Sequence, residues 1–187
     1  MNFNKNITIG FLIFWAIIFL SFSDSKNLYN TKNGKINFVS DAPLEIIKAS
    51  SGKLAGILNT KDKSFVFKVS MRSFNGFNSP LQKVHFNENY IESDKYPDAK
   101  FKGKIIEDIN FSKDGTYKVR AKGKFSIHGV QQSKTIRCKL TIKGKEIKIS
   151  ATFKVNLEDH DIKIPTIVNQ KLAEVITVKI KSSLKPR

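Results

Sequence analysis

One stretch of the sequence, residues 115–157, alternates apolar and polar side chains with only turn-type interruptions. Its first run places apolar or small residues at every second position: Tyr117, Val119, Ala121, Gly123, Phe125 and Ile127. Because side chains alternate across a strand, this spacing predicts one buried face and one wet face. The pattern restarts at Ile136 and at Ile147, and residues 144–145 between these two runs are short enough for a hairpin turn. The stretch therefore predicts three antiparallel strands.

Shorter alternating runs occupy residues 36–48, 53–59, 64–74, 99–110 and 175–184. The first is interrupted by Pro43, which cannot donate to a ladder and so predicts a bulge or an edge position. The total is about eight strands, and eight long antiparallel strands can close into a barrel with room for one ligand. The sequence predicts an all-β chain, an extended antiparallel β-barrel with one or two short helices.

The predicted inward face mixes large side chains with small ones. Ala121, Gly123, Cys138 and Ala151 lie among phenylalanines and isoleucines, and small residues leave space inside a barrel. Small residues are also expected where strands bend, so the residues alone leave a cavity and a packed interior as alternatives. Cys138 is the single cysteine, and its inward position predicts a small hydrophobe without a disulfide partner.

Residues 75–98 have no period of two and contain several glycine, proline and asparagine residues. A long excursion between strands is uncommon unless it covers or performs something. We expect a loop with a short helix that closes one end of the sheet, carrying Phe77, Phe86 and Tyr90 onto apolar surface. A second short helix is predicted at residues 166–173, after Pro165.

The N-terminus has the features of a targeting segment. Lys5 precedes an apolar run at residues 7–20, and small residues follow at cleavage spacing. The run is shorter than the roughly 20 residues that a spanning helix needs, which favours a cleaved signal peptide over residues 1–23 and leaves an uncleaved anchor as the alternative. The expected location is periplasmic or secreted. Residues 24–35 are expected to form a flexible lead-in to a single domain at residues 36–187.

The formal net charge of +17 is high for a chain of 187 residues. The lysines are spread along the wet face of every predicted strand and form no run. Nucleic-acid recognition requires a patch or stripe of basic residues, so the sequence does not favour a specific nucleic-acid partner. A diffuse basic surface indicates solubility or contact with anionic membranes.

The sequence carries no recognisable catalytic motif. It has no nucleophile elbow, no phosphate-cradling glycine loop and no histidine or paired-cysteine metal motif. The acidic run at residues 158–161 lacks the spacing of a cation loop and is interpreted as a solvated turn. His128 ends a predicted strand and is expected to be a hydrogen-bonded residue at the rim. We predict a chain that is not an enzyme, with no catalytic residue, no metal and no cofactor.

Two segments resemble a known family. In residues 85–97, HFNENYIESDKYP, a closing pair of Tyr96 and Pro97 precedes a strand with Phe101. In residues 123–130, GKFSIHGV, a strand ends in a turn with Gly129 and Val130. With these motifs the sequence resembles the YceI-like family of secreted bacterial lipid-binding proteins, over about residues 38–184.

The resemblance implies a lipocalin-like barrel that encloses a polyisoprenoid chain in an apolar tunnel. Its implied function is non-enzymatic binding, carriage or sequestration of an isoprenoid or quinone-type lipid, and it leaves room for membrane-surface contact and a homodimer. The alternative is a ligand-free structural or stress-response barrel that acts through its basic surface at anionic membranes. The chain departs from the family pattern at residues 84–87 and at Gln131 and Gln132, where the family usually has threonine and lysine.

The predicted site has two parts. A polar headgroup is expected at a mouth formed by His85, Asn87 and Tyr90. The predicted tunnel lining comprises Phe67, Val69, Met71, Phe101, Ile105, Val119, Ala121, Gly123, Phe125, Ile127, Leu140, Ile149, Phe153 and Val155.

Overall fold

A computed structural model describes residues 27–187, so the predicted signal peptide at residues 1–23 lies outside the described residues. Within residues 27–187, eight strands follow one another around a closed antiparallel barrel, and the last strand pairs with the first. The strands are β1 (Leu28–Asp41), β2 (Ile46–Asn59), β3 (Ser64–Ser70), β4 (Asp98–Ile105), β5 (Gly115–Ile127), β6 (Val130–Lys143), β7 (Glu146–Asn156) and β8 (Val175–Pro186). The predicted all-β barrel is confirmed.

The first two strands differ from the prediction. A single broken strand is predicted at residues 36–48, whereas the structure has β1 and β2 separated by a turn that contains Pro43. β1 also begins at Leu28, so residues 28–35 are strand and not lead-in. The register shifts on both sides of Gly34, and this bulge resets the alternation. The period of two is therefore invisible across this part of the sequence.

The second half of the barrel follows the predicted pattern closely. β5, β7 and β8 occupy the predicted runs, and β6 begins at Val130, before the apolar alternation starts at Ile136. β3 and β4 end earlier than predicted, at Ser70 and Ile105. The helix predicted at residues 166–173 is only a 3₁₀ turn at Thr166–Val168.

The excursion between β3 and β4 contains the predicted short helix. It comprises a 3₁₀ turn (Met71–Ser73), the helix α1 (Pro80–His85) and a π-helical turn (Phe86–Tyr90). Ser79 caps α1, because its Oγ accepts a hydrogen bond from the backbone N–H of Gln82 at 3.2 Å, and Pro80 occupies the first helical position. We call the end of the barrel that this excursion covers the lid end. No helix within residues 27–187 has the length and apolar character to cross a membrane.

The strand faces separate the side chains as the alternation predicts. The inward faces form two connected apolar clusters, one towards the lid end and one towards the opposite end. The outward faces carry the lysines, which are exposed in every strand except at Lys134 of β6. The apolar interior provides the stability of this disulfide-free chain, and it also holds the candidate site.

Candidate ligand site inside the barrel

The half of the barrel away from the lid end contains an apolar chamber of about 80 Å³, which we call chamber 1. Fully buried side chains, among them Leu58 and Leu140, form its far end. Its wall consists mainly of the inward residues of β3, β4, β5 and β6. Cys138 belongs to this wall, and burial raises the pKa of its thiol to about 11. Cys138 is therefore a protonated, apolar wall residue, as its inward position predicts.

A second apolar chamber of about 120 Å³, chamber 2, lies towards the lid end. Strands β1, β3, β4, β5, β7 and β8 supply its wall, and the excursion after β3 supplies Phe86, Tyr90 and Ile91. Ser40 also reaches the wall, but its Oγ already accepts a hydrogen bond from the backbone N–H of Ala173 at 2.9 Å. The surroundings of chamber 2 therefore suit a hydrocarbon far better than a polar group.

The two chambers meet at the middle of the barrel. They share the wall residues Ile36, Val69, Ala99, Phe125 and Phe153. The rings of Phe125 and Phe153 are 6.1 Å apart between centroids and meet edge to face. Phe125 is buried and lines both chambers, so its side chain lies at the boundary between them, and we call this side chain the partition.

The predicted lining residues are nearly all in the walls of these chambers. Every one of them except Gly123 lines chamber 1, chamber 2 or both. Gly123 instead lies against β4, where it pairs with Gly103. The chamber walls also include residues of β1 and β2 that the sequence does not predict, among them Ile36, Phe38 and Leu54. The bulge at Gly34 hid the inward positions of β1. That the lining residues bind a ligand stays a prediction.

The predicted mouth residues lie on consecutive turns of the excursion but in different surroundings. Tyr90 lines chamber 2, whereas His85 is exposed at the end of α1. The Nδ2 of Asn87 donates a hydrogen bond to the carbonyl oxygen of Lys83 at 2.8 Å. Its Oδ1 is buried and has no hydrogen-bond partner among residues 27–187. Tyr90 and Asn87 thus remain candidates for contact with a ligand headgroup.

A group of phenylalanines closes chamber 2 at the lid end. Phe38 of β1 stacks on Phe86 with ring centroids 5.4 Å apart and touches Phe74 at 5.5 Å. Phe77 packs on Phe86 at 5.1 Å. Aromatic pairs of this kind stabilise a contact beyond the area they bury, by about 0.5–1.5 kcal/mol each. The excursion is therefore attached to the barrel by apolar packing, as its aromatic content predicts.

His128 ties three loops together beside this lid. Its Nε2 lies 2.8 Å from Oε2 of Glu92 in the excursion, and its Nδ1 lies 3.0 Å from the carbonyl oxygen of His160. Tyr96 packs edge to face on the imidazole with centroids 4.8 Å apart. His128 and Glu92 both have positive φ, at 52° and 47°, a conformation that costs energy in residues other than glycine. The predicted hydrogen-bonded rim position of His128 is confirmed.

His160 differs from the expected solvated turn, because it is fully buried. Its ring packs edge to face on Phe125 at 5.2 Å, and its Nδ1 lies 3.3 Å from the carbonyl oxygen of Val130. Burial lowers the pKa of His160 below its ordinary value, because the interior disfavours the charged ring. His160 therefore serves as a neutral packing residue behind the partition between the chambers.

This burial predicts a loss of stability in acid. With a folded-state pKa below the unfolded value of about 6.5, unfolding takes up a proton from about pH 6.5 downward, so stability falls as the pH falls through this window. The variant His160→Asn can keep a donor to Val130 but has no titrating group. We expect the urea midpoint of the native protein to drop more between pH 7.5 and pH 5 than that of His160→Asn. Equal drops in the two proteins would contradict the assignment of a buried neutral His160.

Within residues 27–187, no three potential ligand side chains lie close enough together to hold a metal ion. The acidic run at residues 158–161 includes a 3₁₀ turn, Glu158–His160, in which Asp159 Oδ1 accepts a hydrogen bond from Asn156 at 3.2 Å. The chemistry that the arrangement offers is thus burial of an apolar molecule in the two chambers.

Known proteins with the same architecture were found among solved structures. A polyisoprenoid binding domain from Saccharophagus degradans superimposes with a TM-score of 0.71 at 13% identity, covering 86% of this chain and 99% of that chain. BcnA from Burkholderia cenocepacia gives a TM-score of 0.66 at 13% identity, covering 81% and 95%. A YCEI protein from Campylobacter jejuni gives a TM-score of 0.53 at 17% identity, covering 90% of this chain and 88% of that chain. At these identities the likeness shows a shared fold.

Comparison of the amino-acid sequence with known families gives a more direct assignment of the chain than the structural likeness does. The comparison with curated proteins found no match. The sequence profile of the YceI-like domain, however, matches residues 28–184, which span the whole barrel from the start of β1 to within β8. The matched region contains both chambers, the excursion that closes the lid end and the His128 turn. The chain therefore belongs to the YceI-like family.

Proposed function

We propose that this protein binds an amphiphilic lipid with a polyisoprenoid-type chain inside the barrel and carries or sequesters it without chemical change. The observation that carries the proposal is the pair of apolar chambers, which lie end to end along the barrel and meet at Phe125. Isoprenoid and quinone-type lipids are the candidate ligands, because each carries an apolar chain. The likeness to a polyisoprenoid binding domain supports the same ligand class.

The volumes of the two chambers limit the length of lipid chain that can enter without movement of the wall. Chambers of about 80 and 120 Å³ hold only a short piece of hydrocarbon, so a long prenyl chain must displace side chains at the partition. Each methylene group that enters contributes roughly 0.8 kcal/mol through burial, before the costs of ordering the chain and moving the wall. Binding should therefore strengthen with chain length until the combined chambers are full.

A titration series tests this proposal. Protein stripped of lipid with organic solvent and refolded is titrated with geraniol, farnesol and geranylgeraniol, and binding is followed by calorimetry. We expect saturable one-to-one binding whose affinity rises along the series. The variant Ala121→Leu, which adds bulk to the wall of chamber 1, should weaken geranylgeraniol most. Absence of saturable binding for all three alcohols would contradict the proposed function.

A second candidate function rests on the outer wall. Strand register places basic side chains directly opposite one another across neighbouring strands. The pairs are Lys68 with Lys100, Lys102 with Lys124, Lys104 with Lys122, Lys118 with Lys139, Arg120 with Arg137 and Lys35 with Lys181. Like charges at this spacing destabilise a sheet, and an anionic surface would relieve the repulsion. The wall is therefore suited to contact with anionic membranes, with or without a ligand inside.

Lys102→Glu tests this candidate and also has a predicted effect on stability. The substitution turns the Lys102–Lys124 repulsion into attraction, so we expect the free energy of unfolding to rise by about 0.2–1 kcal/mol. Sedimentation with phosphatidylglycerol vesicles at low salt should show weaker binding of the variant than of the native protein, and added salt should weaken both. Binding that is indifferent to salt and to this substitution would remove the membrane candidate.

A further inference from the structure

Lys134 is the exception among the strand lysines. In β6 it stands at an inward register position, directly opposite Gly123, and it is half-buried, whereas the other lysines in the described strands are exposed. The Nζ of Lys134 lies 5.9 Å from the centroid of the Phe125 ring. The ammonium group therefore sits beside the partition between the chambers.

The ladder between β6 and β7 stops short of this lysine. The registered pairing of β6 with β7 runs from Lys143 and Glu146 only as far as Cys138 and Ala151. Beyond that point β6 continues towards Val130 without a registered partner on β7. On its other side, β6 stays paired with β5 as far as Val130. We call this unpaired region the seam; it comprises residues 130–137 of β6 and 152–156 of β7.

The turn after β7 covers the far end of the seam. Gln132 Nε2 donates a hydrogen bond to the carbonyl oxygen of Asp159 at 3.0 Å, and His160 contacts the carbonyl oxygen of Val130. Lys134 lies between this contact and the last registered pair at Cys138. A ligand that reached Lys134 from outside the barrel would therefore not have to break a registered β6–β7 pair.

The charge of Lys134 is not balanced by the protein. Among residues 27–187 no carboxylate lies within ion-pair distance of its Nζ, and the aromatic face of Phe125 is the neighbour that the geometry identifies. A partly buried cation without a partner is unfavourable, and an arriving anion would offset that cost. The chamber walls are apolar, so such an anion would stay at the seam while its hydrocarbon tail enters beside Phe125.

We propose that the seam is the headgroup site of the ligand and that Lys134 selects an anionic head, a phosphate or a carboxylate. The inference rests on the proposed function and deepens it. It places the head at the side of the barrel, beside Phe125, and not at the mouth formed by His85, Asn87 and Tyr90. Lysine acts here as a compact point charge that can donate up to three hydrogen bonds to oxygens of the head.

The test compares two ligands with the same tail, farnesyl diphosphate and farnesol, by calorimetry on lipid-free protein. We expect the native protein to bind the diphosphate about 10- to 100-fold more tightly, the range typical of a charged hydrogen bond. In Lys134→Met, which removes the charge and shortens the side chain by one heavy atom, this preference should disappear while farnesol affinity changes little. Lys134→Arg should restore most of it.

Two further variants make the result decisive. Lys179→Met removes a charge from the exposed outer face of β8, opposite Thr152 at the edge of the seam, and should leave the preference unchanged. Asn87→Leu removes the buried amide at the predicted mouth, so a loss of the preference there and not in Lys134→Met would assign the head to the mouth. Equal losses in Lys134→Met and Lys179→Met, or a loss in Asn87→Leu alone, would overturn the inference. Farnesol binding without any diphosphate preference would overturn it and leave the proposed function intact, whereas binding of neither ligand would overturn both.

Discussion

Replacement of Gly123 by alanine is expected to prevent the barrel from folding stably. Gly103 of β4 and Gly123 of β5 are registered partners whose backbones approach closely. A Cβ on Gly123 would lie 2.2 Å from the carbonyl oxygen of Lys102 and 2.8 Å from the Cα of Gly103. These are backbone atoms that cannot turn aside, so the two strands would have to separate. Overpacking usually costs about 1–3 kcal/mol, and we expect this case to reach or exceed the upper value.

The matched control is Gly52→Ala in β2. A Cβ there meets no atom within 4 Å, so the change should leave stability nearly the same. Urea unfolding of the native protein and both variants measures the difference. A Gly123→Ala protein as stable as Gly52→Ala would show that the β4–β5 contact is looser than the structure indicates. The result also matters for the site, because it gives Gly123 a structural role in the wall in place of its predicted role in the lining.

Replacement of Phe125 by alanine is expected to join the two chambers. Phe125 is buried against Phe101, Phe153 and His160, and it lines both chambers. Removal of a buried phenylalanine costs about 3–5 kcal/mol, because a cavity replaces its contacts. The same cavity should admit a longer chain without displacement of the wall. We therefore expect a large loss of stability together with a gain in affinity for geranylgeraniol relative to farnesol.

Two comparisons separate these effects. Phe125→Leu should lose less stability and show a smaller shift towards the longer alcohol, which keeps the test valid if the alanine variant unfolds. Phe77→Ala removes an aromatic side chain from the lid end that lines neither chamber, so it should lower stability without changing the order of preference. Calorimetric titration at matched temperature gives the comparison. An unchanged preference in both Phe125 variants would mean that this ring is not the partition.

The sequence predicts the second half of the barrel well for a simple physical reason. Between residues 115 and 157 each strand is buried on one face only, so its alternation is visible without knowledge of its neighbours. The alternation therefore predicts that Val119, Phe125 and Phe153 point inward, and the structure places all three in the chamber walls.

The first half of the barrel is harder to predict, because a bulge and a turn interrupt the alternation of apolar and polar residues. At the bulge, Gly34 lies close to β8, where a Cβ would be 2.8 Å from Oγ of Ser182. Nothing in the local sequence specifies a contact between residues so far apart in the chain. Pro43 likewise marks a turn only once β1 and β2 are known to pair.

The features that give the candidate site its shape also depend on tertiary contacts. The partition arises because Phe125, Phe153 and the buried ring of His160 meet at one level of the barrel. The polar residues 131–135 carry no inward apolar signal, so neither the start of β6 nor the seam could be predicted. The inward position of Lys134 becomes visible only from its register opposite Gly123.

Lipid binding inside the barrel is tested most directly by native mass spectrometry of the protein without residues 1–23, purified without detergent. Denaturing release then identifies any molecule that was bound. If the barrel binds a lipid, we expect a discrete added mass that is lost on denaturation and matches an isoprenoid or quinone-type lipid. A bare protein mass that stays bare after incubation with prenyl alcohols and prenyl diphosphates would contradict it, and the basic outer wall would then be the remaining candidate for the functional surface.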